Sequence, residues 1–311
     1  MFKQNALVAS LVAGLALLAV ASEAKAQSSA PFAYKAPGAP IDPRDGFFFG
    51  LGGGYNAVNF GNRDMYVQGV SNVYQGPTLV ANGFASGTNN VNMPEQSTLA
   101  PDVQIGYFQH FADSTWLWGT KFNYSYLNST SAASSFLVPQ AGTFTMGGVV
   151  TPFTGNVPIG SFQTNVTHQM AWLAFFGRSF DAFTVYLGAG PSLSQIQTRY
   201  TNIAGFALIG GVPSLIAPRD DYSTSGWVVG GAVSLGATYF FNPNWFLDFN
   251  YTFDTTLNQT GSFSGPFTNT TQGYTTVGTL SGNSSGRLTT QTFNVSLNVL
   301  FDTNRGAGWV R

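Results

Sequence analysis

Cysteine is absent from this chain of 311 residues, and charge is scarce. Without cysteine there is no disulfide framework and no thiolate chemistry. Asp, Glu, Lys and Arg together make up 8% of the residues, against roughly 25% in ordinary soluble proteins. That is too little charge to coat a water-facing surface. Twelve basic residues stand against 13 acidic ones, so no basic face is available for nucleic acid. Long apolar runs are missing as well. Past the first twenty residues nothing approaches the ~20 apolar residues of a membrane-spanning helix. Histidine occurs only twice, at His110 and His168, which narrows the choice of a catalytic base.

What is present is Thr, Ser, Asn, Gln and Gly in abundance, with 15% aromatic residues. An uncharged, aromatic-rich chain without a membrane helix has the composition of an outer-membrane barrel. The N-terminus agrees. Lys3 precedes the apolar run "ALVASLVAGLALLAV", and "AKA" at Ala24 to Ala26 offers a small-x-small cleavage site. Residues 1–26 therefore read as a secretory signal peptide cleaved after Ala26, the alternative being an N-terminal anchor helix. Its removal takes Lys3 and Lys25 from the 12 basic residues and Glu23 from the 13 acidic ones, leaving net −2. Residues 27–45, "QSSAPFAYKAPGAPIDPRD", read as a Pro-rich periplasmic tether.

From Gly46 the pattern becomes regular. In "TTQTFNVSLNVLF", Thr289 to Phe301, the odd positions from Phe293 onward are apolar and the even ones from Thr290 to Asn298 polar. That is a β-strand with two chemically distinct faces. Eight such segments are expected: 46–60, 102–111, 115–128, 162–180, 182–198, 226–241, 245–257 and 289–301. Tight turns ("ADS", "D", "NPN") alternate with long Gly/Ser/Thr/Asn-rich connections, the order of periplasmic turns and external loops in bacterial outer-membrane barrels. "MYVQGVSNVY" (Met65 to Tyr74) leaves room for a further hairpin inside the first long connection.

Charge says which face looks outward. Ionised residues fall on apolar-parity positions only near segment ends, at Arg178, Arg199 and Arg287. Lys121, Asp248 and Asp254 sit on polar-parity positions well inside their segments. A Lys or Arg on a lipid face costs ~2–4 kcal/mol near the midplane, so the apolar face should meet lipid. Aromatic residues from Phe47 and Phe49 through Trp116, Trp118, Tyr239 and Trp245 to Phe301 gather at the short-turn end, as a girdle does. A looser set, including Tyr55, Tyr124, Tyr126, Trp227 and Phe253, lies toward the long connections. Eight strands leave an interior just filled by side chains. Inward Gly50, Gly52, Gly54, Gly188, Gly190, Gly230 and Gly236 would face Asn123, Gln163, Gln169, Tyr186 and Asn250, a plug rather than a pore.

The "AYKAP" tether, the opening strand "GFFFGLGGGY", the four hairpins and a last strand ending in Phe resemble the outer-membrane immunogenic, porin-like surface proteins of alphaproteobacteria. These belong to the OmpA-like eight-stranded barrel superfamily. The resemblance implies an abundant outer-membrane protein in contact with lipids and lipopolysaccharide. It implies insertion by the barrel-assembly machinery with periplasmic chaperones, and Phe301 as the assembly signal. The chain departs from that pattern in the tail "DTNRGAGWVR" and in Arg44 and Asp45, where members carry Trp-Thr.

Chemistry-bearing constellations are few. A lipid A-modifying enzyme needs a His with a Ser and a carboxylate in reach. His110 has lumenal parity near the periplasmic end, and His168 lipid-side parity beside Val166 and Met170 with no adjacent Ser. Lys121 should reach Asp248 or Asp254 across the barrel, because a buried charge is tolerated only when paired. The pair serves either as an interior plug or as a gate. "RDD" at Arg219 to Asp221 reads as a solvated loop, the alternative being a divalent-ion or lipopolysaccharide contact.

The expectation is an all-β, eight-stranded antiparallel transmembrane up-and-down barrel over residues 46–301, with a tail at 302–311. No enzymatic activity, cofactor or metal is expected. The expected role is structural and surface-presenting with a largely plugged lumen. The alternatives are a narrow porin-like channel for small solutes and a lipid A-modifying enzyme.

Overall fold

The protein is described by a computed structural model covering residues 44–209 and 212–302. The expected signal peptide, most of the tether and the tail beyond Asp302 lie outside the described residues. Twelve strands follow in order: β1 (Gly46–Asn59), β2 (Asn62–Gln75), β3 (Thr78–Asn92), β4 (Gln96–His110), β5 (Trp116–Met146), β6 (Val149–Phe180), β7 (Phe183–Ile209), β8 (Val212–Phe240), β9 (Trp245–Thr256), β10 (Gln259–Thr271), β11 (Tyr274–Gly286) and β12 (Thr289–Asp302). Every pairing is antiparallel.

Eight of the strands close a ring. β1 pairs with β4, β4 with β5, β5 with β6, and so on through β7, β8, β9 and β12 back to β1. These eight contain the eight segments expected from the alternation. The connections between them differ from expectation, for the four long ones are strand and not irregular loop. β5 to β8 simply continue, β6 reaching 32 residues, or ~105 Å of strand at 3.3 Å per residue. The first and last long connections fold into the hairpins β2–β3 and β10–β11, and the Met65 to Tyr74 stretch lies in β2.

These hairpins complete an upper storey. β10, β11, β2, β3, β5, β6, β7 and β8 pair in that order. Among the described residues, β8 and β10 share no ladder. Side chains close that seam, with Asn269 Nδ2 donating to the Leu215 carbonyl at 2.8 Å and Tyr222 stacked on Phe263 with 4.9 Å between ring centroids.

The two storeys have opposite patterning. In the lower ring the expected aromatic girdle does face outward, from Phe47, Phe49, Trp116 and Trp118 to Tyr239, Trp245 and Phe301. Gln104, Lys121, Asp248, Asn250, Asn294 and Asn298 are buried inside. In the upper storey Val67, Val91, Val138, Val157, Ile159, Tyr200, Phe263 and Phe267 form an apolar core. Exposed Asn72, Asn82, Thr88, Thr260, Ser262 and Ser264 alternate with it on the outside. The base of the ring holds a third layer, in which Phe48, Phe108, Leu117, Phe240, Phe246 and Leu300 pack together. A wholly polar interior was expected, but polarity is confined to the middle. The ends are apolar because the upper storey must build a core of its own, while aromatic rings fill the base.

Candidate functional site: the lumenal polar network and the upper cavity

Lys121 on β5 and Asp248 on β9 come from opposite sides of the ring and meet. Lys121 Nζ lies 3.4 Å from Asp248 Oδ2, and both side chains are almost wholly buried. Tyr186, inward by parity but not linked to the pair from sequence, joins them. Its hydroxyl accepts from Lys121 Nζ at 2.7 Å and donates to Asp248 Oδ1 at 2.8 Å. Lys121 Nζ also stands 4.7 Å from the Tyr186 ring centroid, a cation–π contact. Asp248 accepts further from Asn250 Nδ2 at 3.2 Å and Gln104 Nε2 at 3.3 Å. Gln104 in turn donates to Ser296 and Asn298, both at 2.6 Å. A charge in a low-dielectric interior is tolerated when its remaining hydrogen-bonding capacity is also met; both Asp248 oxygens find donors, while Gln104 Oε1 is left without one. Tyr186 fits because Gly236 lies beneath it, where a Cβ would overlap the ring.

Asp254 is not part of this pair. Its carboxylate is buried, with neither oxygen in a well-formed hydrogen bond. It lines a separate cavity of about 30 Å³ with Asp102, Asn123, Gln169 and Asn250, room for a water molecule. Asp102 accepts from Ser125 Oγ at 2.8 Å and Asn294 Nδ2 at 2.7 Å. A further cavity of about 20 Å³ lies between the aromatic base and the Lys121–Asp248 pair. Among the described residues no cluster of three or more His, Asp or Glu could hold a metal ion.

The two histidines are held differently. His110, at the end of β4, has Nδ1 at 2.6 Å from Asp45 Oδ1 and Nε2 at 2.8 Å from Ser179 Oγ. Asp45 Oδ1 also accepts from the His110 backbone N–H at 2.8 Å. The order carboxylate, imidazole, hydroxyl resembles a nucleophilic triad. Here it ties the entrance of β1 to β4 and β6, since Ser179 Oγ also bonds Thr184 Oγ1 at 2.9 Å and its N–H goes to the Thr115 carbonyl.

His168 faces outward, as expected. Val166, however, does not share its face. A bulge between Val166 and Gln169 shifts the register, so that Val166 is buried in the upper core. Gln163, taken as inward, loses its place to the buried Phe162 and Thr164. His168 Nδ1 bonds the Tyr124 hydroxyl at 2.7 Å and stacks near Tyr126 and Trp227.

The upper storey carries one ion that periodicity did not flag. Arg63 on β2 is buried, with Nη1 at 3.4 Å from Gln259 Oε1 while Nε and Nη2 lack partners. Burial lowers its pKa to about 10 and raises that of nearby Tyr200 to about 12. Arg219 to Asp221 lie on the outer surface, where Asp221 Oδ2 stands 3.8 Å from Arg199 Nη2 and its Oδ1 accepts the Asn202 N–H.

At the outer end of the core lies a cavity of about 230 Å³. Val73, Ala81, Phe144, Phe153, Ile216, Phe267 and Leu280 contribute to its wall, together with Gln140.

No family model and no curated protein sequence matches the chain. Among solved structures, it is similar to the outer membrane protein OprG from Pseudomonas aeruginosa, at 10% identity and TM-score 0.37. That match covers 84% of this chain and 98% of OprG. Neisserial surface protein A matches at 12% identity and TM-score 0.29, over 77% of this chain and 97% of its own. The outer membrane protease OmpT from Escherichia coli matches at 9% identity and TM-score 0.28, over 86% and 100%.

Proposed function

We propose that the chain is an outer-membrane barrel with a structural, surface-presenting role, whose lower ring crosses the bilayer and whose upper storey projects outside. The reversal of patterning between the storeys carries this reading. One storey turns Phe, Trp and Leu outward around a polar centre, and the other turns Ser, Thr and Asn outward around an apolar one. A single chain does this when its two parts meet different solvents. The outward apolar band of such barrels is ~25 Å tall, a fraction of the ~105 Å run of β6. The lower belt is the surface for lipid and lipopolysaccharide, and Phe301 is the residue for the assembly machinery to read.

The aromatic base, the satisfied Lys121–Asp248 network and cavities of about 20 and 30 Å³ favour a plugged lumen over a channel. The proposed role is non-enzymatic, with His168 bonded to Tyr124 and the Asp45, His110 and Ser179 chain engaged in tying β1 to β4 and β6. The test is electrophoretic mobility in detergent with and without boiling. The folded barrel should migrate apart from the boiled form, and in planar bilayers it should pass no steady current. A mature protein that stays soluble without detergent overturns the reading.

A further inference from the structure

The upper cavity has features that presenting a surface does not require. Its inward positions are occupied by Gly69, Gly83, Gly205, Ala81 and Ala85 where larger side chains would complete the core. Space is available at two of these positions. A Cβ on Gly69 would meet only the Leu280 Cδ1 at 3.9 Å, and one on Gly83 would stand 3.5 Å from Phe144 Cβ and Ser71 Oγ. Interiors are close-packed, so a recess of about 230 Å³ beside the core forfeits contacts along its lining. A dry apolar cavity of ~150 Å³ holds benzene, so this one admits two fused rings.

One polar atom on the wall lacks a partner. Gln140 is buried and its Nε2 donates to the Val67 carbonyl at 3.1 Å. That bond fixes the amide orientation, since the flipped form would set two acceptors face to face. Gln140 Oε1 is left buried with no donor. A buried acceptor without a donor is costly, and a ligand that brings one removes the cost. Ser71 and Asn82 also line it, and a mostly apolar pocket with a few placed polar groups is the usual form of a small-molecule site. Ile216 and Ala217 of β8 and Phe267 of β10 belong to the wall, so the cavity borders the seam between β8 and β10, which has no backbone ladder among the described residues.

We propose that this cavity binds a small, largely apolar molecule carrying one hydrogen-bond donor, of the size of a two-ring aromatic alcohol, which enters between β8 and β10. The site goes beyond the surface-presenting role and does not depend on whether the lumen conducts. The mature chain refolded in nanodiscs is titrated calorimetrically with 1-naphthol and with naphthalene, using empty nanodiscs as the blank. Saturable heat at one molecule per chain is expected for both. Gln140→Leu should weaken 1-naphthol about tenfold and leave naphthalene within about twofold. Gly69→Leu, and separately Gly83→Leu from the neighbouring strand, should remove both, with heat-modifiable mobility retained as the control for folding. No heat beyond the blank, or binding that persists in both glycine variants, overturns the site. Equal weakening of the two ligands by Gln140→Leu overturns the role of the donor.

Discussion

At the scale of single residues, the Lys121–Asp248 pair is met by hydrogen bonds, whereas Arg63 and Asp254 are buried short of partners. Removing one partner of a buried pair leaves the other charge stranded, at ~3–5 kcal/mol, whereas replacing both by apolar residues is close to neutral. Lys121→Met should therefore lower the unfolding midpoint in denaturant markedly, and Lys121→Met with Asp248→Leu should recover most of the loss. If the double variant conducts no more than the parent, the pair is a plug and not a gate. Arg63 behaves in the opposite sense. Its folded pKa of about 10 lies below the ordinary 12.5, so the fold disfavours the bound proton. The destabilisation is fully present below pH 10 and fades as pH rises from there toward 12.5. Arg63→Met should accordingly stabilise the upper storey by about 1–3 kcal/mol. The gap from the parent should be flat through neutral pH and narrow only above pH 10, as read by thermal unfolding across a pH series.

At the scale of elements, ring closure depends on β1 lying flat against β12. Gly50 pairs with Asn298 and Gly52 with Ser296, and a Cβ on Gly50 would overlap the Asn298 amide. Gly50→Val should abolish the heat-modifiable form by blocking the last ladder, while Gly53→Val, where a Cβ would meet nothing closer than the Ala100 carbonyl at 3.5 Å, should retain it. The ring itself was legible in the sequence because each of its strands alternates strongly. The upper strands were not, and β10 shows why. Its inward set is Gln259, Gly261, Phe263, Gly265 and Phe267, with the Tyr222 ring lying over Gly265. Where the inward residue is glycine, the space is filled from a neighbouring strand and hydropathy does not alternate. Lys121 and Asp248 could be foreseen because an ion at inward parity needs a partner. Tyr186 could be placed inward by parity, but its tie to the pair could not, because parity does not say where a hydroxyl reaches. Asp45 and Ser179 escaped notice because the first was assigned to a tether and the second to a strand end. An inward histidine at the mouth of the ring was the available signal for both.

At the scale of the whole molecule, everything turns on which end faces out. The hairpin tips of the upper storey carry glycines in the left-handed region: Gly76 after β2, Gly147 and Gly148 between β5 and β6, and Gly273 between β10 and β11. The opposite end has only short turns, at 111–115, 181–182 and 241–244, next to the outward aromatic girdle. With the aromatic girdle at that end and Ser, Thr and Asn outward on the upper strands, the tips should lie in a different solvent from the girdle. A short epitope inserted between Gly147 and Gly148 extends an exposed turn whose added Cβ atoms meet nothing, so the barrel should fold around it. That epitope should be labelled on intact cells. The same epitope placed at Pro243, in the turn between β8 and β9, should be labelled only after the outer membrane is permeabilised. Labelling in the reverse order would turn the barrel over and put the upper cavity on the periplasmic side. Labelling of both sites on intact cells would mean that the belt does not cross a bilayer at all.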